Sequence, residues 1–207
     1  MSQNYNAYPF GRWLKWGIAG LLILILVLTS ISSYNGLVSA DQTVQQQWSQ
    51  VENQMQRRAD VIINLANVVQ EAEKHEEKVF GAIAAARTNA EAAKAILTDS
   101  TKDIQSKLDA NNTLNDVIRS ISVVVEAYPE LRSNEQFSNL QTAIEGSENR
   151  VAVARKDFIG SVQAYNLRVK RFPGNIFAGL SGFTPKDYYQ ADEGAQQAPD
   201  LNKLFNE

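Results

Sequence analysis

The chain has 207 residues, a formal net charge of −3 and no cysteine. That length suits one ordinary folded unit with an added segment rather than several domains. Charges of both signs are interspersed without a basic stripe, which argues against a nucleic-acid binder, and the lack of cysteine excludes disulfides, a thiol nucleophile, a lipidated cysteine and a cysteine-held metal.

From Trp16 to Ile31 the chain is almost wholly apolar, and no charged residue occurs between Lys15 and Asp41. A bilayer core takes roughly 20 helical residues, and Ser32, Ser33 and Tyr34 complete that length. The pattern predicts a transmembrane helix over 16–34 after a short N-terminus, 1–15. Leu21, Leu24 and Leu28 would lie in lipid, with Trp13, Trp16 and Tyr34 at the interfaces, where aromatic rings settle. The competing reading is a cleaved secretory signal with small residues at Val38-Ser39-Ala40. It is disfavoured because the apolar run is long for a signal core and that site lies far beyond it. Arg12 and Lys15 precede the span, and no Lys or Arg follows until Arg57. A positive flank tends to stay in the cytoplasm. The expectation is a single-pass protein of the cell (inner) membrane with its soluble part extracytoplasmic.

Beyond Gly36 the apolar residues recur at alternating steps of three and four. One series, spaced by seven, is Val44, Val51, Arg58, Leu65, Ala72, Val79, Ala86 and Ala93; the other is Trp48, Met55, Ile62, Val69, Glu76, Ile83, Ala90 and Leu97. All are apolar except Arg58 and Glu76. So sustained a heptad predicts one long helix packed along a narrow seam, of coiled-coil type, with alanines beyond Ala84 allowing close approach.

A second helix is expected from Ser100, with Asp103 completing a capping box, through Ile104, Leu108, Leu114, Ile118, Ile121 and Val125. It should stop before Tyr128-Pro129, because proline pushes the preceding residue out of the helical region. A third is expected from Asn134 as N-cap, with Phe137, Ile144, Val151, Phe158, Tyr165 and Phe172 at intervals of seven, ending at Pro173-Gly174. Ile176, Phe177, Leu180 and Phe183 suit a short fourth helix. The fold class is therefore all-α, an N-terminal transmembrane helix followed by a long-helix antiparallel three- to four-helix bundle. Its parts read as a helical stem over 35–66, a bundle over 67–184 and a flexible polar tail over 185–207.

Two expectations follow from that layout. The first helix would run roughly 60 residues, about 90 Å, against some 28 residues, or about 42 Å, for the second. The stem seam Leu37, Val44, Trp48, Val51 and Met55 would then lack an intrachain partner, and parallel copies would cover it in a homo-oligomer. The turn after the second helix would bring Glu126 and Glu130 to Arg57 and Arg58 as structural ion pairs.

The chain resembles the LemA family of bacterial membrane-anchored proteins. The resemblance is carried by Tyr34-Asn35-Gly36-Leu37-Val38, Trp48-Ser49-Gln50-Val51-Glu52, Arg57-Arg58-Ala59-Asp60-Val61-Ile62-Ile63-Asn64-Leu65, Glu126-Ala127-Tyr128-Pro129-Glu130-Leu131, Glu148-Asn149-Arg150 with Arg155, Tyr165-Asn166 and Phe172-Pro173. It implies an N-terminal transmembrane helix, a helical-bundle domain and no catalytic residues. Family descriptions have also placed the short N-terminus outside the cell, opposite to the charge argument, so two orientations stand. Ile63 occupies a position where the family's Arg-Arg motif has proline, which weakens any kink there.

No enzyme chemistry emerges. The single histidine, His75, cannot furnish the paired Glu-x-x-His motifs of a di-iron bundle, no elbow surrounds any serine for a Ser-His-Asp site, and no phosphate-binding glycine loop occurs. Glu148, Asn149, Arg150 and Arg155 read as polar pairing beside a packed seam, as does Tyr165-Asn166. No catalytic, cofactor-binding or metal residues are assigned. The expected role is a non-enzymatic, membrane-anchored scaffold or adaptor at the cell envelope. Its partners would be the lipid bilayer, further copies and other membrane proteins, with no nucleic acid. The alternative is a membrane-tethered sensor for a small envelope ligand.

Overall fold

A computed structural model describes residues 10–72, 77–128 and 135–188. Among them are five helices and no strand: α1 Phe10–Ala72, α2 Glu77–Thr98, α3 Ile104–Ala127, α4 Glu135–Lys170 and α5 Gly174–Ser181. The all-helical class is as the sequence predicts. The chain forms two compact units, one from Met1–Val44 with Ser161–Glu207 and one from Gln45–Gly160.

In the unit from Gln45 to Gly160, side-chain pairs fix the helix directions. Gln56 Nε2 donates to Leu97 O at 3.0 Å, and Lys94 Nζ pairs with Asp60 at 2.6 Å, so α2 runs antiparallel to α1. Lys107 bonds Glu52, and Arg58 bonds Asn111 and Asn115, so α3 runs parallel to α1. Arg58 meets Glu148 and the Trp48 ring lies 5.3 Å from that of Phe158, so α4 is antiparallel again. The result is an up-down-up-down helical packing. Its core holds Val51, Met55, Ile62 and Val69 of α1, Ile83, Ala90 and Leu97 of α2, Leu114 and Ile121 of α3, and Ile144, Val151 and Phe158 of α4. Full burial of such a side chain contributes roughly 1.5–3 kcal/mol.

The single long helix expected through the heptad is instead two helices, α1 ending at Ala72 and α2 beginning at Glu77; residues 73–76 lie outside the described ones. The seven-residue register carries across without a slip, since Leu65 and Val69 before it and Val79 and Ile83 after it are all buried. A continuous register hides a reversal of chain direction, because each helix needs the same seam. At the start of α3 the N-cap is Asp103, whose Oδ1 accepts from Ser106 N at 2.7 Å, rather than Ser100. Just before it Asp99 Oδ1 accepts from Thr101 N at 2.8 Å, a local turn that delays the helix. Asn134, the expected cap of α4, lies outside the described residues.

In the other unit, Trp13, Trp16, Leu21, Leu24 and Leu28 of α1 are all more than half exposed. Further along the same helix Leu37, Ala40 and Val44 are buried, as are Val162, Tyr165 and Val169 of α4. The turn between α4 and α5 needs Gly174, where a Cβ would stand 2.3 Å from Arg168 O. Gly182, with φ of 77°, closes α5 in the left-handed region, and its N–H donates to Ala178 O.

The expectation that Leu37, Val44, Val51 and Met55 lack an intrachain partner is therefore corrected. All four are buried within one chain, and Trp48 is packed on Phe158. The reason is the hairpin of α1 and α2, which adds a reversal and sends the 36-residue α4 antiparallel to α1.

Candidate functional site

The bundle unit carries a buried polar layer where an apolar seam would be simplest. Arg58, on the α1 seam between Met55 and Ile62, is 2 % exposed. Its Nη1 donates to Asn111 Oδ1 at 3.2 Å, and its Nη2 donates to Asn115 Oδ1 at 2.6 Å. Glu148 Oε1 lies 3.9 Å away on a side chain 64 % exposed, too far and too solvated to anchor the guanidinium by itself. Burial pulls the Arg58 pKa below its ordinary value; Glu148 opposes that and Arg155 adds to it. Lys107, also buried, bonds the carboxylate of Glu52.

Helix spacing builds this layer. Lys107, Asn111 and Asn115 stand at i, i+4 and i+8 on α3 and share one face. That face is otherwise the apolar one bearing Leu108 and Leu114. The α1 seam supplies Arg58, and Glu52 lies beside it. Removing a charge from water is costly unless its donors are satisfied, and here two amide oxygens do most of that work.

Among the described residues, Arg57 and Arg58 do not form the expected pair with Glu126. Arg58 bonds asparagines, Arg57 is exposed, Glu126 is exposed, and Glu130 lies outside the described residues. Because α3 runs parallel to α1, its C-terminal end lies farther along α1, at Leu65. There Val125 and Glu126 line a groove with Leu65, Phe137 and Ile144. That groove, of about 270 Å³, has an apolar floor and Glu145 and Glu148 at its rim. A second groove of about 360 Å³ runs between Gln47, Gln50 and Gln54 of α1 and Asn149, Arg150 and Asp157 of α4. Sequence reasoning missed Asn111 and Asn115, although two asparagines four apart on an apolar helix face were a visible signal. Among the described residues no cluster of His, Asp or Glu is placed to hold a metal ion.

The other unit has its own polar fastening. Tyr165 Oη donates to Thr184 O at 2.9 Å, and the Asn166 amide donates to Lys186 O and accepts from Lys186 N, both at 2.8 Å. Lys186 Nζ pairs with Asp41 at 2.9 Å and lies 5.2 Å from the centre of the Tyr165 ring. Burial pushes the Tyr165 phenol up; Lys186 opposes and Asp41 adds. Lys186, expected at the start of a flexible tail, is thus held at both backbone and side chain. Tyr34, expected as an interfacial aromatic, meets Phe183 edge-on with ring centres 6.1 Å apart. Part of α1, beginning at Trp13, is long and apolar enough to cross a membrane.

Two Magnetosome proteins of Paramagnetospirillum magneticum, MamQ 2 and MamQ 1, are each 24% identical to the chain over 208 residues, covering 92% of it and 76% of their own length. Magnetosome protein MamQ of Magnetospirillum gryphiswaldense is 23% identical over 212 residues, covering 94% of this chain and 78% of its own. The sequence model of the LemA family matches residues 47–202, which take in the polar layer, α5 and Lys186 with its partners Tyr165 and Asn166. With most of its length matched in this way, the chain belongs to the LemA family.

Proposed function

We propose that this LemA-family chain is a single-pass membrane protein whose helices act as a non-enzymatic scaffold or adaptor through protein–protein contacts at the cell envelope. The observation that carries the reading is α1 itself. In one helix, an exposed apolar segment from Trp13 to Ile31 is followed without a break by Leu37, Ala40 and Val44, which are buried. A lone apolar helix in water would be costly at about 25 cal/mol per Å², whereas lipid removes that cost. The polar interior is spent on holding Arg58 and Lys107, whose charged ends bond Asn111, Asn115 and Glu52, with only Arg58 Nε of these two side chains left without a hydrogen-bond partner among the described residues. Placement of the soluble part outside the cytoplasm rests on Arg12 and Lys15 against the uncharged far flank.

The sequence argument for a homo-oligomer, an unpartnered stem, no longer supports self-association, because those residues are covered within the chain. Adaptor contacts fall instead to exposed faces, where Val123 and Val153 are 67% and 59% exposed. Photo-crosslinking residues placed at these two positions in intact cells test the reading. The expected result is a recurrent set of cross-linked membrane or envelope proteins at one or both positions. Absence of any protein adduct at either position, with the chain correctly inserted, would contradict it.

A small-ligand sensor is the second reading, supported by the groove at Leu65, Phe137 and Ile144 that adjoins Glu148 of the polar layer. A thermal-shift screen of the full-length protein in detergent against small envelope metabolites separates the two. A saturable rise in Tm that is lost in Phe137→Ala favours the sensor.

A further inference from the structure

The residues around α5 bear apolar side chains that the described residues leave exposed. Phe172 and Leu180 are each 80% exposed and Ile176 is 51% exposed. Ile176 and Leu180 are four residues apart in α5 and so share one side of it, and Phe172 stands exposed just before the helix. Single exposed apolar residues are ordinary, but three large ones within nine residues of chain, two of them on one helix side, mark an interaction surface. On the opposite side Ala178 is buried, which gives the short helix a defined inner and outer face.

Where that face lies is fixed at both ends. Before α5, Arg168 Nη1 donates to Gly36 O at 2.8 Å. After it, the Phe183 ring meets the Tyr34 ring, and the chain is then fastened through Thr184 and Lys186 to Tyr165, Asn166 and Asp41. Tyr34 and Gly36 are the residues at which α1 leaves its apolar span, and one helical residue rises only about 1.5 Å. Both ties therefore hold α5 at the level where a spanning α1 would emerge from the bilayer. The neighbouring charges are cationic: Lys170 and Arg171 are exposed just before the apolar face. A short amphipathic helix with aromatic and aliphatic residues on one side and basic residues beside it matches the acyl–headgroup boundary of a membrane.

We propose that Phe172, Ile176 and Leu180 insert into the interfacial layer of the same bilayer that α1 spans, with Lys170 and Arg171 facing lipid phosphates, so that the chain rests on the membrane at a second point. The proposal rests on the reading of α1 as a membrane span. A second contact would restrict how the helices tilt about the emerging α1, since a single helix leaves rotation and tilt free whereas two attachment points do not. Lipid is favoured over a protein partner because both fastenings lead to the span exit and the flanking charge suits an anionic surface.

The chain has no cysteine, so single-cysteine variants can be labelled cleanly. Full-length protein is reconstituted into vesicles of mixed zwitterionic and anionic phospholipid carrying a shallow or a deep nitroxide quencher. An environment-sensitive fluorophore is attached in turn at Leu180→Cys, Ile176→Cys, Gln163→Cys and Leu24→Cys. The expected result is loss of fluorescence by the shallow quencher at positions 180 and 176 but not at 163, and by the deep quencher at 24. Loss at 24 with none at 176 and 180 would overturn the proposal while leaving the span intact. No loss at 24 would overturn the spanning reading on which it rests. Cross-linking between copies through Leu180→Cys, without quenching there, would assign the face to a second chain and also overturn it.

Discussion

Replacing Asn111 by leucine puts the energetic reading of the polar layer at risk. Arg58 is 2% exposed and its nearest acceptors are the amide oxygens of Asn111 and Asn115. A hydrogen bond to a charged group contributes about 1.5–3 kcal/mol, and stranding a buried charge by removing its partner costs about 3–5 kcal/mol. Glu148 cannot compensate, being 3.9 Å away and largely solvated. Asn111→Leu should therefore lower stability by about 2–4 kcal/mol, between these limits because Asn115 remains. Arg58→Met leaves only neutral amides to satisfy, at about 1–3 kcal/mol. The triple variant Arg58→Met/Asn111→Leu/Asn115→Leu removes every unsatisfied group at once and should recover most of the loss, ending near the parent or above it by up to about 4 kcal/mol. The assay is urea unfolding of the full-length chain in a fixed detergent concentration, followed by far-ultraviolet circular dichroism. A triple variant less stable than Asn111→Leu would refute the reasoning, because the layer would then contribute through packing rather than through satisfied charge.

Met55→Ala, at a fully buried seam position, should cost about 2–5 kcal/mol with a midpoint independent of protein concentration; a concentration-dependent loss would place the seam between copies. The Asp103 carboxyl is held below the usual Asp range, chiefly by the Ser106 backbone N–H. A depressed folded pKa contributes stability that is complete above the ordinary Asp value and fades as pH falls through the lower folded one. The Tm difference between the parent and Asp103→Ala should accordingly shrink on acidification below about pH 4, and a difference unchanged at the acid end would contradict this. Gly174→Ala would drive a methyl against Arg168 O, 2.3 Å from its ideal position, so hydrogen exchange at the α4–α5 turn should accelerate; unchanged protection there would show that the turn relaxes freely.

The sequence made some of this fold plain and concealed the rest for identifiable reasons. The apolar span and the α1 seam were legible because their periods are long and strong. Val51, Met55, Ile62, Val79, Ile83 and Leu97 are all buried as the heptad requires. The reversal between Ala72 and Glu77 was concealed because no proline or glycine marks it and the register runs through it unchanged; the visible signals were Glu76 on the seam and the charged run from Glu71 to Lys78. Missing that reversal made the stem look unpartnered and put Glu126 at the wrong level for Arg58. The asparagine partners of Arg58 were overlooked because a charge partner was sought, whereas a buried guanidinium is as well served by neutral amide oxygens. The fastening of Lys186 was hidden by its polar neighbourhood, since a backbone held by one asparagine amide leaves no periodic trace.

The most direct test of the account, in which a membrane-held α1 is covered by α4 of its own chain, is short bis-maleimide cross-linking of Trp48→Cys/Phe158→Cys in native membranes, at positions whose rings lie 5.3 Å apart. An efficient cross-link is expected that leaves the protein at monomer mobility, in membranes from which alkali does not extract the chain. Cross-linked dimers in place of the intrachain product, or no reaction between the two positions, would contradict it.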